Sequence, residues 1–352
     1  MKFVLKILLL NIFYFIAVSF VHSQEIHQEK NNLYSTGELH KIVEVKARSK
    51  INIKSAAILR GKITITTSEK NEVSIKYFKK AKTNNKSKAI DYIDLIAVSL
   101  VQIPGGINLE LRAPNPAPWQ EMEMGMVEIT MIIPEFCEVE IESDYFDITA
   151  LGPFRKFIVP SSLGRLDIEY VTEQLELVTS NRRVTIKNIS GDINVTTSNS
   201  TLIARDINSP NNKASFRNNG GDIKVDGITG GLHVKNSYGR IDIKQFKLTD
   251  ERSYIRGSYG PIMVAIKEIN DGYLLISNRY EDIEVEVPEN ISAFFSLAVE
   301  EEGKIEVSNM IFKPELVQEN RLNLITGDGK AIINSSLRGK GNIFVRGISE
   351  GD

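Results

Sequence analysis

A sequence unit of about 21 residues recurs in the second half of this 352-residue chain. It constrains the fold more than any other feature. Its clearest copies contain Tyr238, Tyr259 and Tyr280, which are 21 residues apart in both steps. Weaker copies, spaced roughly 18 to 22 residues apart, extend the series from about residue 143 to residue 307. Each copy has a turn of Asn, Ser or Gly and then a strand that alternates apolar and polar residues, as in Ile241–Ile243. A period of this length predicts stacked β-strand units.

The predicted fold class is all-β: a single-stranded β-solenoid (β-helix-like) with an N-terminal β-sheet cap. One unit alone cannot bury its inward side chains, but layers about 4.8 Å apart would bury them and pair the backbone in parallel. An ordinary β-sandwich with similar turns is the alternative. The predicted division is a signal peptide at 1–23, a β cap or small β-sandwich at 24–140, repeats at 141–307, and irregular C-terminal coils and tail at 308–352.

The start of the chain predicts export. Lys2 and Lys6 precede an apolar run over residues 7–21, and Ser23 is small enough to stand at a cleavage site before Gln24. An uncleaved anchor is the alternative, although the run is short for a membrane span. No later segment is predicted to cross a membrane. The location is therefore predicted as periplasmic, cell-surface or secreted. Cys137 is the only cysteine, which excludes a disulfide within the chain.

Seven residues are candidate ligand contacts. If the turns stack, Tyr238, Tyr259 and Tyr280 form an aromatic strip that either stiffens one edge or stacks on sugar rings or a peptide. The segment 76–88 contains six lysines and is predicted as a loop tip, either a solvated hairpin or a contact for anionic polysaccharide, lipid headgroups or peptidoglycan. The lysines chosen there are Lys79, Lys80 and Lys82. Trp119 ends a proline-rich loop and either anchors a sugar or packs under its own loop.

The sequence contains no arrangement typical of catalysis. Its four histidines have no metal-ligand spacing, so neither catalytic residues nor a metal or other cofactor is predicted. Gly220–Asp222 is similar to part of a calcium-binding β-roll repeat, but no tandem nonapeptide follows. A formal net charge of −2 gives no whole-chain attraction to nucleic acid. The enzymatic rival is a polysaccharide-cleaving β-helix, which would use acidic and basic residues on one outward strip.

Several short motifs occur in the order seen in a known group of proteins. They are Gly61–Ile65, a strand at 127–134 that ends in Pro134, Gly191–Val195 and Gly341–Ile343. In this order the chain resembles the bacterial β-strand-repeat proteins called "putative adhesins", most of which are uncharacterised, over about residues 40–346. The resemblance implies a β-solenoid and a cell-envelope location, and it implies no catalytic residues.

Three functions follow as hypotheses. The first is a non-enzymatic, exported envelope protein that acts as an adhesin-like or interaction scaffold, with an envelope glycan or protein as partner. The second is a carbohydrate-active or glycan-binding β-helix protein. The third is an envelope-stress or regulatory component. The oligomeric state is left open.

Overall fold

The computed structural model describes residues 25–30, 32–46, 48–249 and 251–349, and the predicted signal peptide lies outside them. The chain is all-β, with 66% of residues in strands and 3% in helix. The strands of the N-terminal part are β1 (Ile26–Gln28), β2 (Leu33–Thr36), β3 (Leu39–Glu44), β4 (Lys50–Ser55), β5 (Arg60–Ser68), β6 (Glu72–Lys82), β7 (Ala97–Ile103), β8 (Gly106–Arg112), β9 (Met124–Pro134) and β10 (Glu138–Glu142). One helix, α1 (Lys86–Asp94), lies between β6 and β7.

The remaining strands include four of 14 to 17 residues. The strands are β11 (Tyr145–Val159), β12 (Leu166–Ser180), β13 (Val184–Ser190), β14 (Asp192–Ser198), β15 (Leu202–Asn218), β16 (Ile223–Asn236), β17 (Ile241–Leu248), β18 (Arg252–Arg256), β19 (Ile262–Ile269), β20 (Tyr273–Asn278), β21 (Ile283–Pro288), β22 (Ala293–Val299), β23 (Ile305–Ser308), β24 (Lys313–Gln318), β25 (Arg321–Thr326), β26 (Ala331–Leu337) and β27 (Ile343–Ile348).

The prediction of a single-stranded solenoid is wrong. The strands contain a closed, parallel six-strand barrel with many strands outside it. A closed circuit of pairing is visible where β12 pairs with both β13 and β14, and β15 pairs with the same two strands. The physical reason is strand length: β12 and β15 are long enough to pair with different neighbours along their two halves. The alternation of apolar and polar residues determines which side chains face inward. It does not determine whether the paired strands close into a barrel.

Most strands belong to two parallel ladders. The first ladder runs in the order β9, β5, β11, β12, β13, β15, β16, β17, β19, β21, β27, β23. The second runs in the order β8, β4, β10, β11, β12, β14, β15, β16, β18, β20, β26, β22. The long strands take part in both ladders. Pairing of Ile241 with Ile262, and of Ile262 with Ile283, confirms the predicted 21-residue repeat.

The order of layers departs from chain order at both ends. Strand β5 lies between β9 and β11, and β27 lies between β21 and β23. Ile305 therefore pairs with Ile343, whereas a series in chain order would place it beside Ile283. Parallel pairing also spans the predicted boundary at residue 140, since β4 pairs with β10, which contains that residue. The division of the chain into units stays a prediction.

An antiparallel group covers the N-terminal end of the first ladder. Strand β6 pairs with the outermost strand β9 and also with β2 and β3, while β7 pairs with β8. This pairing satisfies backbone groups that an open edge would expose. Helix α1 begins at the cap residue Asn85, whose side chain accepts hydrogen bonds from the N–H groups of Ser87 and Lys88.

One continuous apolar core fills the space between the ladders. It is built from alternate residues of almost every strand, such as Phe216 and Phe246, which are fully buried. Stacking of the layers thus buries apolar side chains that a single layer would expose to water. In the part of the chain described, no helix is both long and apolar enough to cross a lipid bilayer.

Candidate functional site

The turns that lead into β17, β19 and β21 place three tyrosines in one row. Each tyrosine stands three residues before the first residue of its strand, and those first residues are in register. The tyrosine row therefore consists of Tyr238, Tyr259 and Tyr280. The stacking expected from the 21-residue spacing is present in the structure.

The rings of the tyrosine row cover one another's faces. The centroids of Tyr238 and Tyr259 are 5.0 Å apart at 7°, and those of Tyr259 and Tyr280 are 5.1 Å apart at 20°. The three residues are nevertheless 55%, 49% and 39% exposed. Because Tyr259 has a ring against each face, the row presents ring edges and hydroxyl groups to solvent. A sugar ring cannot stack on Tyr259 in this arrangement, since stacking needs a free aromatic face.

Turn residues beneath the rings hold the layers in register. Asn236 is buried, and its Nδ2 donates to the carbonyl of Gly239 in its own turn and to that of Gly221 in the preceding layer. Asn278 makes the corresponding pair of bonds. A Cβ at Gly260 would lie 2.2 Å from the carbonyl oxygen of Gly239, so this close approach of backbones requires glycine.

A glycine packs against the ring at one end of the tyrosine row. A Cβ on Gly339 would lie 2.7 Å from a ring carbon of Tyr280, so the outer face of that ring packs on a glycine. The outer face of Tyr238 has no aromatic partner within the described ranges. Tyr145, which the sequence places at an equivalent turn, lies outside the row and has the guanidinium of Arg60 4.8 Å from its ring centroid.

Beside the row, the outer surface of the second ladder is basic. The outward residues of β18 and of the second-ladder segments of β15 (213–217) and β16 (231–235) carry five cations and one histidine. We call this the basic face, and its cations are Lys213, Arg217, Lys235, Arg252 and Arg256. The outward residues of the next two strands are neutral: Tyr273, Leu275 and Ser277 on β20, and Ile332, Asn334 and Ser336 on β26. No carboxylate stands at these outward positions of the five strands.

Two depressions on this surface join into one groove. One has a volume of about 450 Å³ and is lined by Arg217, His233 and Tyr254, among others. The other has a volume of about 400 Å³ and extends towards the turns. Both include Lys235 and Arg256 in their walls. The second also includes Ser258, Arg279 and Arg338, so the groove reaches the turn residues that precede Tyr259 and Tyr280.

The pKa of His233 reflects the positive charge of the groove. Its pKa is lowered from the ordinary value, first by burial and then by the nearby positive charges of Lys213, Arg217 and Arg256. Its ring packs edge-on against Tyr254 with centroids 4.9 Å apart, and its Nε2 is buried without a hydrogen-bond partner. Sequence reasoning missed this site, because its residues come from strands 18 to 21 positions apart.

The lysine-rich segment is part of the folded structure. Residues 76–82 lie in β6, and residues 86–94 form α1, so this segment is not the loop that the sequence suggests. Lys80 is 7% exposed and its Nζ lies 3.2 Å from Glu29 and 2.9 Å from Glu128. Burial lowers the pKa of Lys80, but its hydrogen bonds to Glu128 and Glu29 outweigh burial and leave that pKa raised.

The other two predicted lysines differ from Lys80. Lys79 donates to the carbonyl oxygen of Ile96 at 3.2 Å, and burial lowers its pKa. Lys82, at the end of β6, is exposed. The structure therefore does not bring these three lysines together as one exposed cationic contact.

Trp119 packs inside the N-terminal part. Its ring meets Tyr92 of α1 edge-on with centroids 6.0 Å apart, and a Cβ at Gly125 would lie 2.7 Å from the indole. Glu123 anchors the same loop by accepting hydrogen bonds from the Tyr92 hydroxyl at 2.5 Å and the Thr83 hydroxyl at 2.7 Å. The bond to Tyr92 is the main cause that lowers the pKa of Glu123 to about 2. Packing within the loop and helix accounts for the half-buried indole.

Another depression lies on the outer surface of the first ladder. It has a volume of about 830 Å³, and its walls include Asp242, Glu284 and Glu286. Arg346 lies 3.7 Å from Glu284 and 4.0 Å from Glu286, whereas the Oδ1 of Asp242 is buried without a hydrogen-bond partner. Among the described residues, no group of three or more His, Cys, Asp or Glu could hold a metal ion. Burial raises the pKa of the fully buried Cys137 to about 11, so its thiol is no ready nucleophile.

Comparison with known proteins identifies structural neighbours alone. No protein-family model and no curated protein matches the chain. A "putative lipid binding protein" from Parabacteroides distasonis is 12% identical with a TM-score of 0.40, over 88% of this chain and 96% of that one. A "putative adhesin" from Parabacteroides merdae is 9% identical with a TM-score of 0.34, over 88% and 95%. Another from Bacteroides fragilis is 12% identical with a TM-score of 0.28, over 88% and 97%. Similarity at these scores fixes neither fold nor function.

Proposed function

We propose that this protein is an exported, non-enzymatic component of the cell envelope that acts as an adhesin-like interaction scaffold. The observation that carries the proposal is the tyrosine row, in which three exposed side chains are held in register on a rigid edge. Exposed tyrosines fixed by packing lose little conformational entropy on binding, which is why tyrosine is common at contact surfaces. The row contacts its partner through ring edges and hydroxyl groups, since the ring faces are already covered.

The test removes the hydroxyl groups and keeps the rings. The triple variant Tyr238→Phe, Tyr259→Phe, Tyr280→Phe retains the stack, so its melting temperature stays close to that of the parent protein. We expect its capture of components from a solubilised envelope fraction to fall several-fold. Tyr170→Phe is the matched control, because Tyr170 is also 49% exposed and stands outside the row. Unchanged capture by the triple variant would contradict a contact made through the tyrosine hydroxyl groups.

Two further measurements address location and chemistry. Fractionation of cells is expected to place the protein in the periplasm, at the outer surface or in the medium, and recovery from the cytosol alone would contradict export. Incubation with envelope and plant polysaccharides is expected to release no reducing ends. Release of such ends by the purified protein would replace the scaffold with the carbohydrate-active alternative.

A further inference from the structure

The basic face carries more positive charge than its own structure neutralises. In the ranges that the structure describes, neither its five cations nor the groove arginines Arg279 and Arg338 form an ion pair. Arg217, Lys235 and Arg256 are direct neighbours across three adjacent strands. The backbones of neighbouring strands are about 4.8 Å apart, so these like charges lie side by side.

Such an arrangement destabilises the fold. Like charges directly opposite each other on neighbouring strands repel, whereas opposite charges attract. The first ladder of the same protein shows the stabilising pattern, with Lys224 opposite Asp242 and Glu286 opposite Arg346. Opposite charges at these first-ladder positions stabilise the fold, whereas the run of like charges on the basic face does not. A bound anion would supply the missing neutralisation.

We propose that the groove of the basic face binds an anionic polysaccharide through its carboxylate or sulfate groups. This inference rests on the proposed scaffold function and names the class of its ligand. The basic face and its neutral continuation cross five strands, β15, β16, β18, β20 and β26, which corresponds to about 19 Å at about 4.8 Å per strand. That length accommodates an extended chain with several charged groups.

Serine hydroxyls in both parts of the groove supply hydrogen-bonding groups. Ser215, Ser277 and Ser336 lie in its walls, between or beside the cations. A glycan presents hydroxyl groups next to each carboxylate or sulfate, and these match the serine hydroxyls. Arg279 and Arg338 extend the positive charge to the turn, so one chain can contact the groove and the edge of the tyrosine row.

The ring geometry favours an anionic glycan over other polyanions. Single-stranded nucleic acid binds by stacking its bases on free aromatic faces. Here both faces of Tyr259 are covered by neighbouring rings, so the tyrosine row leaves the outer face of Tyr238 and offers no series of free faces for successive bases. A membrane surface is bound by apolar side chains that insert beside the charges. The groove walls are mainly charged and polar side chains, and Leu275 and the exposed Ile332 are too few to form an apolar surface for insertion into a bilayer.

The experiment measures binding of the purified full chain to defined polymers. Dextran sulfate and polygalacturonate are the anionic probes, and unsubstituted dextran is the neutral control with the same backbone as the first. We expect binding to both anionic polymers, no binding to dextran, and weaker binding as NaCl is raised. The variant Arg217→Gln, Lys235→Gln, Arg256→Gln should bind the anionic polymers about tenfold more weakly, because it removes three exposed charge contacts.

A matched variant separates the groove from general charge. Arg205→Gln, Lys244→Gln, Lys267→Gln removes the same number of exposed cations from first-ladder strands, and we expect it to bind like the parent. Equal loss in both variants would refute a site in the groove. Tighter binding to oligo-dT, or to phosphatidylglycerol vesicles, than to the anionic glycans would assign the groove to another ligand class.

The two proposals fail in different ways. Lack of binding to every anionic polymer, together with envelope capture that depends on the tyrosine row, would overturn the glycan inference and leave the scaffold function supported. Binding to the anionic polymers without any dependence on the tyrosine row would support the groove and contradict the role of that edge.

Discussion

The tyrosine row makes a quantitative prediction about stability. Tyr259 has stacked partners on both faces, whereas Tyr238 has one stacked ring. A stacked aromatic pair contributes about 0.5–1.5 kcal/mol beyond area burial. Tyr259→Ala should therefore lower the free energy of unfolding by about 1–3 kcal/mol through lost stacking, and Tyr238→Ala by about half as much.

The control variant must remove a tyrosine ring of the same exposure that stacks on no other ring. Tyr170 is 49% exposed, as is Tyr259, and its ring stacks on no other ring in the described part of the chain. The difference between the unfolding free energies of Tyr259→Ala and Tyr170→Ala then isolates the stacking. Tyr259→Phe keeps the ring and should stay within about 0.5 kcal/mol of the parent protein.

Urea unfolding followed by circular dichroism is the assay, with the slope of free energy against urea checked for each variant. An unchanged slope licenses comparison of the midpoints, because the same surface is then exposed on unfolding. The reasoning is refuted if Tyr259→Ala and Tyr170→Ala are equally destabilised, or if the phenylalanine variant loses as much as the alanine variant. Either result would mean that the observed ring geometry contributes nothing to stability.

Three other predictions concern the remaining parts of the fold. Glu123→Gln should lower the unfolding free energy by about 1–2 kcal/mol at pH 7, by weakening the bond to Tyr92. Because the pKa of Glu123 is lowered to about 2 from 4.5, this difference should be full above about pH 4.5 and vanish as pH falls towards 2, as urea titrations at several pH values would show. Gly260→Ala should destabilise by about 2 kcal/mol or more, since its Cβ would lie 2.2 Å from the Gly239 carbonyl oxygen; a melting temperature equal to the parent's would contradict the close approach. Cys137 should resist alkylation at pH 8 until the protein unfolds, because it is buried and its pKa is raised to about 11; rapid labelling of the folded protein would contradict this.

Local regularities of the sequence predicted the local structure well. The 21-residue spacing predicted both the register of Ile241, Ile262 and Ile283 and the stacking of the tyrosines. The spacing could not predict that the ladders close into a barrel. Closure depends on the way in which long strands, such as β12, bend between two sets of neighbours. The lysine segment 76–88 was predicted as a loop because its six lysines outnumber its buried apolar residues Tyr77 and Ala81, which nevertheless continue strand β6.

Much of the basic face could have been found from sequence once the register was known. Arg217, Lys235 and Arg256 are separated by 18 and 21 residues, the same steps that separate successive layers. A search for charge at equivalent positions of the repeat would have aligned them. The groove between layers could not have been predicted this way, since its depth depends on neighbouring side chains such as Leu275 and Ser277.

The exchanged order of layers affects how the fold would respond to mechanical load. Strand β27 lies between β21 and β23, so a pull applied through it must shear its parallel pairing with both neighbours at once. A stack built strictly in chain order would instead present its last layer for peeling, one hydrogen bond after another. The end strands of the two ladders, β8, β9, β22 and β23, are internal segments of the chain, and β6, β7 and β25 pair with β9, β8 and β22. The force needed to open the stack is therefore expected to exceed the force that unzips a single terminal strand.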